Sequence, residues 1–161
     1  MSDTIQTALA DPAPPLPSVM VIDDDRIDQM MYTRVLQRSG YFSHITSHRS
    51  AEDALCQLRE EQGARPDLIL LDINMPRMNG FEFLDAARAD LPAGIVDVVI
   101  VMLTTSLDPR DTARAANYEE IRAYLNKPLT ASHVQDLVTG HLSPMIEHAV
   151  TAPEEDRPRI H

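Results

Sequence analysis

Residues 68–80 run Leu68-Ile69-Leu70-Leu71-Asp72-Ile73-Asn74-Met75-Pro76-Arg77-Met78-Asn79-Gly80, and this stretch decides the fold. Its first four residues are apolar without alternation, the pattern of a strand covered on both faces. The run stops on the carboxylate of Asp72 and enters a loop holding proline and glycine, which presents the carboxylate to a crevice rather than to a helix. Asn79-Gly80 alone is ordinary turn chemistry. Three other apolar runs end on polar side chains: Val19-Met20-Val21-Ile22 on Asp23-Asp24, Val98 to Leu103 on Thr104, and Tyr124-Leu125 ahead of Lys127. In an open parallel α/β sheet the carboxyl ends of neighbouring strands share one edge, so the four stops converge on a crevice where such folds bind ligands. Three carboxylates, a hydroxyl and an ammonium at one point suit a divalent cation and a phosphoryl group, not a core. Lys127 is the only lysine in the chain, beside 13 arginines. Arginine substitutes poorly where a compact charge on a flexible stem is needed. An arginine-rich composition accounts for the count, though less well for the location.

The first helix is predicted over about Asp25 to Ser39, closed by Gly40 as a left-handed cap. Its apolar stripe is Ile27, Met30, Met31, Val35 and Leu36, with the two methionines as core filler. A short second strand, Phe42 to Thr46, leads to Ser50-Ala51-Glu52-Asp53, a capping-box start for a second helix that buries Ala54, Leu55 and Leu58. A third helix follows over about Phe81 to Ala89. Val96 to Leu103 is the longest β-branched run and reads as a central strand. Asp108-Pro109 reads as the N-cap and first-turn proline of a fourth helix. Ile121 to Leu125 is the last strand, and a fifth helix over about Thr130 to Val138 ends near Gly140. This alternation predicts an α/β fold with a doubly wound parallel sheet and helices on both faces.

The 161 residues, 43% of them hydrophobic, are one domain's worth of chain. A net charge of −11 disfavours an electrostatic grip on nucleic acid or an anionic membrane. Cys56 stands alone in a helical pattern, so it reads as a buried small hydrophobe and not as part of a disulfide framework. No signal-peptide pattern and no membrane-length apolar run are visible, and a cytoplasmic location is expected. Residues 1–17, with four prolines, read as a disordered leader, residues 18–142 as the folded domain, and residues 143–161 as a tail that is loosest from Thr151 onward.

Asp23-Asp24-Asp25 begins where the first strand stops. Adjacent carboxylates repel unless a cation neutralises them. Acids also suit a helix N-terminus, which accounts for Asp25, whose direction should differ from its neighbours'. An isolated acidic pair is a weak signal.

Taken jointly, the motifs are specific. Residues 70–80, with Ile22-Asp23-Asp24, Leu103-Thr104-Thr105 and Asn126-Lys127-Pro128 in order around them, resemble CheY-like response-regulator receiver domains over about residues 18–142. The resemblance implies a flavodoxin-like, five-stranded parallel sheet of order 2-1-3-4-5. It implies a stand-alone response regulator of a two-component system, not an enzyme in the usual sense, though self-dephosphorylation is open to it. Asp72 would be the phosphoacceptor. Mg²⁺, or Mn²⁺ in its place, would be held by Asp24 directly, by Asp23 largely through water, by Asp72, and by the backbone carbonyl of Asn74. Thr104 would bond a phosphoryl oxygen, Lys127 would pair with the Asp72 site, and Pro128 would follow a cis peptide. Tyr124 resembles the aromatic that changes rotamer on activation; a half-buried edge-strand tyrosine explains it as well. The implied partners are a sensor histidine kinase or histidine phosphotransfer protein and a downstream protein, with a homodimer through the fourth and fifth helices as a further option. Two departures stand out: Tyr118-Glu119-Glu120-Ile121-Arg122-Ala123 lacks the glycine usual before the fifth strand, and Leu91 to Asp97 is long.

Other readings are weaker. The six histidines are scattered; His44 and His48 have a helical metal spacing but fall on or beside a strand. Arg110, Arg114 and Arg122 make either a basic strip or, more simply, a solvated face. An aspartyl-phosphate phosphatase of the haloacid-dehalogenase type would use Asp23 and Asp25, yet the chain after Lys127 lacks that family's acidic metal pair. The intact site residues argue against a receiver-shaped module that does not switch. No helix-turn-helix pattern follows the fifth helix, so a DNA-binding output is disfavoured.

Overall fold

The computed structural model describes residues 17–60, 65–91, 98–105 and 108–140. Five strands, β1 (Ser18–Ile22), β2 (His44–His48), β3 (Leu68–Asp72), β4 (Val99–Thr104) and β5 (Ile121–Asn126), alternate with five helices. These are α1 (Arg26–Ser39), α2 (Ala51–Glu60), α3 (Gly80–Asp90), α4 (Pro109–Ala115) and α5 (Ala131–Gly140). All strand pairs are parallel, and the sheet order is β2-β1-β3-β4-β5. This is the doubly wound, flavodoxin-like sheet expected from the sequence. The expected leader, residues 1–16 of it, and the tail lie outside the described residues. So do the start of the expected Val96 strand and most of the long segment after Leu91.

Side chains alternate across a strand, so the sheet divides its apolar residues between two cores. Val19, Val21, Leu68, Leu70, Val101 and Leu103 face α1 and α5, meeting Tyr32, Leu36, Val134, Leu137 and Val138. Met20, Ile22, Ile69, Leu71, Ile100 and Met102 face α2, α3 and α4, meeting Leu55, Leu58, Phe81, Phe83 and Leu84. β3, central in the order, is buried at every position, as its unbroken apolar run requires.

Helix starts follow local chemistry. The Asp25 carboxylate accepts from the backbone N–H groups of Ile27 and Asp28, capping α1, and Gly40 closes it at φ 73°. Ser50 Oγ accepts from Asp53 N–H ahead of α2. Asn79 and Glu82 form a reciprocal capping box on α3, and Asp108 with Pro109 opens α4.

Three expectations need correction. Ile27, Met30 and Met31 are exposed, at 68%, 59% and 47%. The buried positions of α1 are instead Gln29, Tyr32, Leu36 and Ser39. Gln29 Nε2 donates to the His48 carbonyl, so a polar anchor sets the helix's rotation, and hydrophobic periodicity cannot register such an anchor. Cys56 is exposed, because α2 buries Ala51, Ala54, Leu55 and Leu58 and turns position 56 outward. The second strand lies two residues later than expected, its His44 pairing with Ser18 and its His48 with Ile22.

The missing glycine before β5 has a structural counterpart. Tyr118 stacks on Phe81 with ring centroids 5.6 Å apart and donates to Asp85, while Glu120 receives Arg88 through two bonds. Arg88 lies over the Tyr118 ring and Arg114 over the Phe81 ring, each 4.5 Å from the centroid. Arg110, Arg114 and Arg122 are all exposed, and Arg110 pairs with Asp108.

Gly80 is required by close approach. A Cβ there would sit 2.8 Å from the Asp72 carbonyl oxygen and 3.1 Å from the Ile73 Cα, both backbone atoms that cannot swing aside. Gly80→Ala is expected to cost about 1–3 kcal/mol in denaturant melts, the usual range for overpacking. An unchanged midpoint would mean that the loop after β3 yields freely.

Candidate functional site

Strand parity assembles the site. Ile22 pairs with Leu71 and Asp72 with Leu103, and Leu103 pairs with Leu125. Asp23, Asp72 and Lys127 therefore fall on the sheet face covered by α1 and α5. Thr104 and Tyr124 have the opposite parity and face α2, α3 and α4. Backbone bonds lock the strand ends together: Asp23 N–H donates to His48, Ile73 N–H to Leu103, and Lys127 N–H to Thr104.

The Lys127 ammonium lies 2.8 Å from Asp23 Oδ2, 3.0 Å from Asp28 Oδ2 and 3.5 Å from Asp72 Oδ1. Asp23, Asp24 and Asp72 each offer a carboxylate oxygen within 4.8 Å of the others. Asp25 N–H donates to Asp23 Oδ1, and Asn74 N–H donates to Asp72 Oδ1. The Asp25 carboxylate caps α1, its direction differing from its neighbours' as expected, while the residue lines the crevice mouth. The crevice above these groups has a volume of about 480 Å³ and is lined by Asp24, Asp72, Asn74 and Lys127, with Asp28 and Thr105 at its sides. Thr104 is fully buried behind that rim, and Tyr124 is half-buried on the edge strand. The Lys127–Pro128 peptide is cis, as anticipated.

Burial pushes the Asp72 carboxyl up to about 7, and the charge of Asp23 adds to it; Lys127 and the Asn74 N–H oppose the rise. Burial likewise raises Asp23, against its bonds from Lys127 and from the Asp25 backbone. For Lys127, burial disfavours the charged form, yet bonds to Asp23 and Asp28 and the charge of Asp72 outweigh it and hold the pKa above the ordinary range. Burial raises the Tyr124 phenol, and the nearby Thr104 and Thr112 hydroxyls counter the rise. The acids thus outnumber the positive charge available to them.

The sequence reading brought together Asp23, Asp24, Asp72, Asn74 and Lys127, and the structure does the same. It missed Asp28, which reads along the chain as one more acid in a helix's first turn. It also missed Tyr32, whose buried hydroxyl has no hydrogen-bond partner among the described residues. The one available signal was spacing: Asp24, Asp28 and Tyr32 recur every four residues. His44 and His48 sit at opposite ends of β2 and, among the described residues, belong to no grouping of three or more potential metal ligands.

Fold and crevice together define a doubly wound α/β domain with an acidic, lysine-containing site at its strand ends. The chain belongs to the response regulator receiver domain family, whose profile matches residues 19–139. It is similar to the crystal structure of a two component response regulator from Cytophaga hutchinsonii, with a TM-score of 0.74 at 33% identity, covering 80% of this chain and 98% of that one. Chemotaxis protein CheY4 of Vibrio cholerae gives a TM-score of 0.63 at 27% identity over 77% of this chain and 97% of that one. Polar-differentiation response regulator DivK of Brucella anthropi is 27% identical over 78% of this chain and 95% of its own length. Other relatives are much longer: the chain spans 22% of protein-glutamate methylesterase/protein-glutamine glutaminase 1 of Anaeromyxobacter dehalogenans, at 38% identity over 80 residues. Receiver domains are phosphoacceptor signalling domains that bind Mg²⁺ in an acidic pocket and interact with histidine kinases or phosphotransfer proteins. Among the described residues no helix is long and apolar enough to cross a membrane.

A pH dependence follows from Asp72. Its carboxyl binds a proton more tightly folded, at about 7, than at the ordinary 3.8. The resulting stability is fully present below about pH 4 and is lost as pH rises through about 7. In chelator, wild type should therefore lose melting temperature relative to Asp72→Asn across that window. Parallel curves for the two proteins would contradict the buried, proton-favouring environment.

Proposed function

We propose that the chain is a single-domain response regulator that takes a phosphoryl group on Asp72 and signals through a changed protein-binding surface. The donor is a sensor histidine kinase or a histidine phosphotransfer protein. The observation that carries this reading is the carboxylate cluster of Asp23, Asp24 and Asp72 with Lys127 3.5 Å from the acceptor, all at one crevice edge. The donor set is hard oxygen throughout, and its acids outnumber the one ammonium beside them, so the residues fit Mg²⁺, or Mn²⁺ in its stead. Asp23, Asp24, Asp72 and the Asn74 carbonyl would hold the ion. When bound, it supplies charge stabilisation for the oxygens of the transferring group.

An Asp72 oxygen forms a bond to phosphorus as the P–N bond to the donor imidazole breaks, and the electron pair leaves on that imidazole nitrogen. Asp72 needs its deprotonated form for this step, which the ion's charge and Lys127 favour. The acyl phosphate then carries about two negative charges and new acceptor oxygens. Lys127 pairs with one oxygen, and Thr104, moving toward another, draws on the Tyr124 ring beside it. That shift would alter the surface of α4, β5 and α5, which also serves as the candidate homodimer face. Water resets the switch by hydrolysing the acyl phosphate, so the domain is a phosphoacceptor more than an enzyme. Folded domain and flanking segments divide near residues 18 and 142, and the cytoplasm is the location that suits such a partner.

Incubation with acetyl phosphate and Mg²⁺ should add one phosphoryl group by mass spectrometry, and Asp72→Asn should add none. Undiminished labelling of Asp72→Asn would move the acceptor elsewhere. In melts, Mg²⁺ at a hundredfold excess over its Kd should stabilise wild type by about 2.7 kcal/mol. Asp24→Asn should lose most of that gain; an equal gain in both proteins would place the ion at another site.

Lys127→Arg keeps the charge but replaces a compact ammonium with a broad planar guanidinium. It should be phosphorylated yet show little of the phosphorylation-dependent amide exchange that wild type shows over residues 104–140. Equal exchange changes would mean that any cation suffices at this position.

A further inference from the structure

Among the acids that line the crevice, Asp28 contacts Lys127 yet has no part in phosphoryl transfer to Asp72. Asp28 Oδ2 lies 3.0 Å from the Lys127 ammonium, nearly as close as Asp23 Oδ2 and closer than the 3.5 Å of Asp72 Oδ1. A helix-dipole role would place an acid in the first turn of α1, but it would not require contact with a lysine 99 residues away. The position is held firmly. Asp25 caps the turn before it, Tyr32 is buried one turn after it, and Gln29 is tied to the His48 carbonyl.

The ammonium donates hydrogen bonds to Asp23 and Asp28 and reaches Asp72 only as an ion pair at 3.5 Å. To close on oxygens carried by Asp72 it must move toward that residue and away from one of its two hydrogen-bonded partners. Asp23 has a side chain only 1% exposed, and giving up its lysine bond would leave a buried carboxylate short of a partner. The Asp28 side chain is 27% exposed at the crevice rim and can turn to water. It is the partner that releases the lysine at least cost.

We infer that Asp28 is a positioning residue that parks Lys127 on α1 in the unphosphorylated protein and competes with the phosphoryl group for its ammonium. It acts as a brake between phosphorylation and output, set by one side chain at the start of α1. The inference rests on Asp72 being the acceptor.

The test titrates beryllium trifluoride, an analogue of the phosphoryl group, into Mg²⁺-saturated protein and reads binding by fluorine NMR. Asp28→Asn and Asp28→Ala should bind the analogue about fivefold more tightly or better, while Asp25→Asn stays within about twofold of wild type. Asp25→Asn removes the same charge from the crevice without touching Lys127, and asparagine still caps the helix. Melting curves of the free proteins verify that all variants fold. Unchanged or weaker binding in both Asp28 variants, with normal binding in wild type, overturns the inference and leaves the acceptor reading intact. Equal tightening in Asp25→Asn shows that charge alone is responsible and overturns competition for Lys127. A wild type that takes no analogue overturns the acceptor reading and this inference with it.

Discussion

One ammonium holds together carboxylates that would otherwise drive the crevice apart. Asp23 and Asp72 are buried acids on adjacent strand ends, and Asp28 reaches them from α1. Like charges at such separations repel by several kcal/mol in a poorly solvated site. Lys127 meets all three from the end of β5, yet burial, and after it the charge of Asp23, still pulls the Asp72 carboxyl upward. A site in that condition is built to gain from a divalent cation. Its single lysine also ties the edge strand to the first helix across the carboxyl edge of the sheet, so the electrostatics of the crevice are part of what holds the layers in register.

The sheet's parity distributes the rest. Acids and lysine share the face covered by α1 and α5, whereas Thr104 and Tyr124 point into the core beneath α2, α3 and α4. Asp72 and Lys127 thus stand on one face of the sheet, and Thr104, at the end of the neighbouring strand, on the other. On the second face the segment before β5 is not a bare glycine turn. Tyr118 packs on Phe81, Arg88 and Arg114 lie over the two rings, and Glu120 receives Arg88. This clasp joins α3 to the entry of β5 and buries Tyr118 where a glycine turn would leave solvent. The same packing ties α3 to α4 through Arg114 over the Phe81 ring.

The central parallel strands were legible in the sequence, because an unbroken apolar run bounded by turn residues has few other homes than a doubly covered parallel strand, whereas the strand order came from the family resemblance. The acidic edge was legible too, since each such run ends on or one residue before a charged or hydroxyl side chain and parallel strands bring those ends together. Caps at Asp25, Asn79 and Asp108 and the closure at Gly40 were legible because they are local, decided within three or four residues. The rotation of α1 depends on contacts between segments distant in the chain. Hydrophobic periodicity favoured Ile27, Met30 and Met31 inward, but the bond from Gln29 to the His48 carbonyl and the fit of Tyr32 between β1 and α5 turned them out. The same rotation aims Asp28 at Lys127. A pairing between residues so far apart in the chain has no trace in either segment, because it depends on which face of a helix the core selects and on which strand lies opposite.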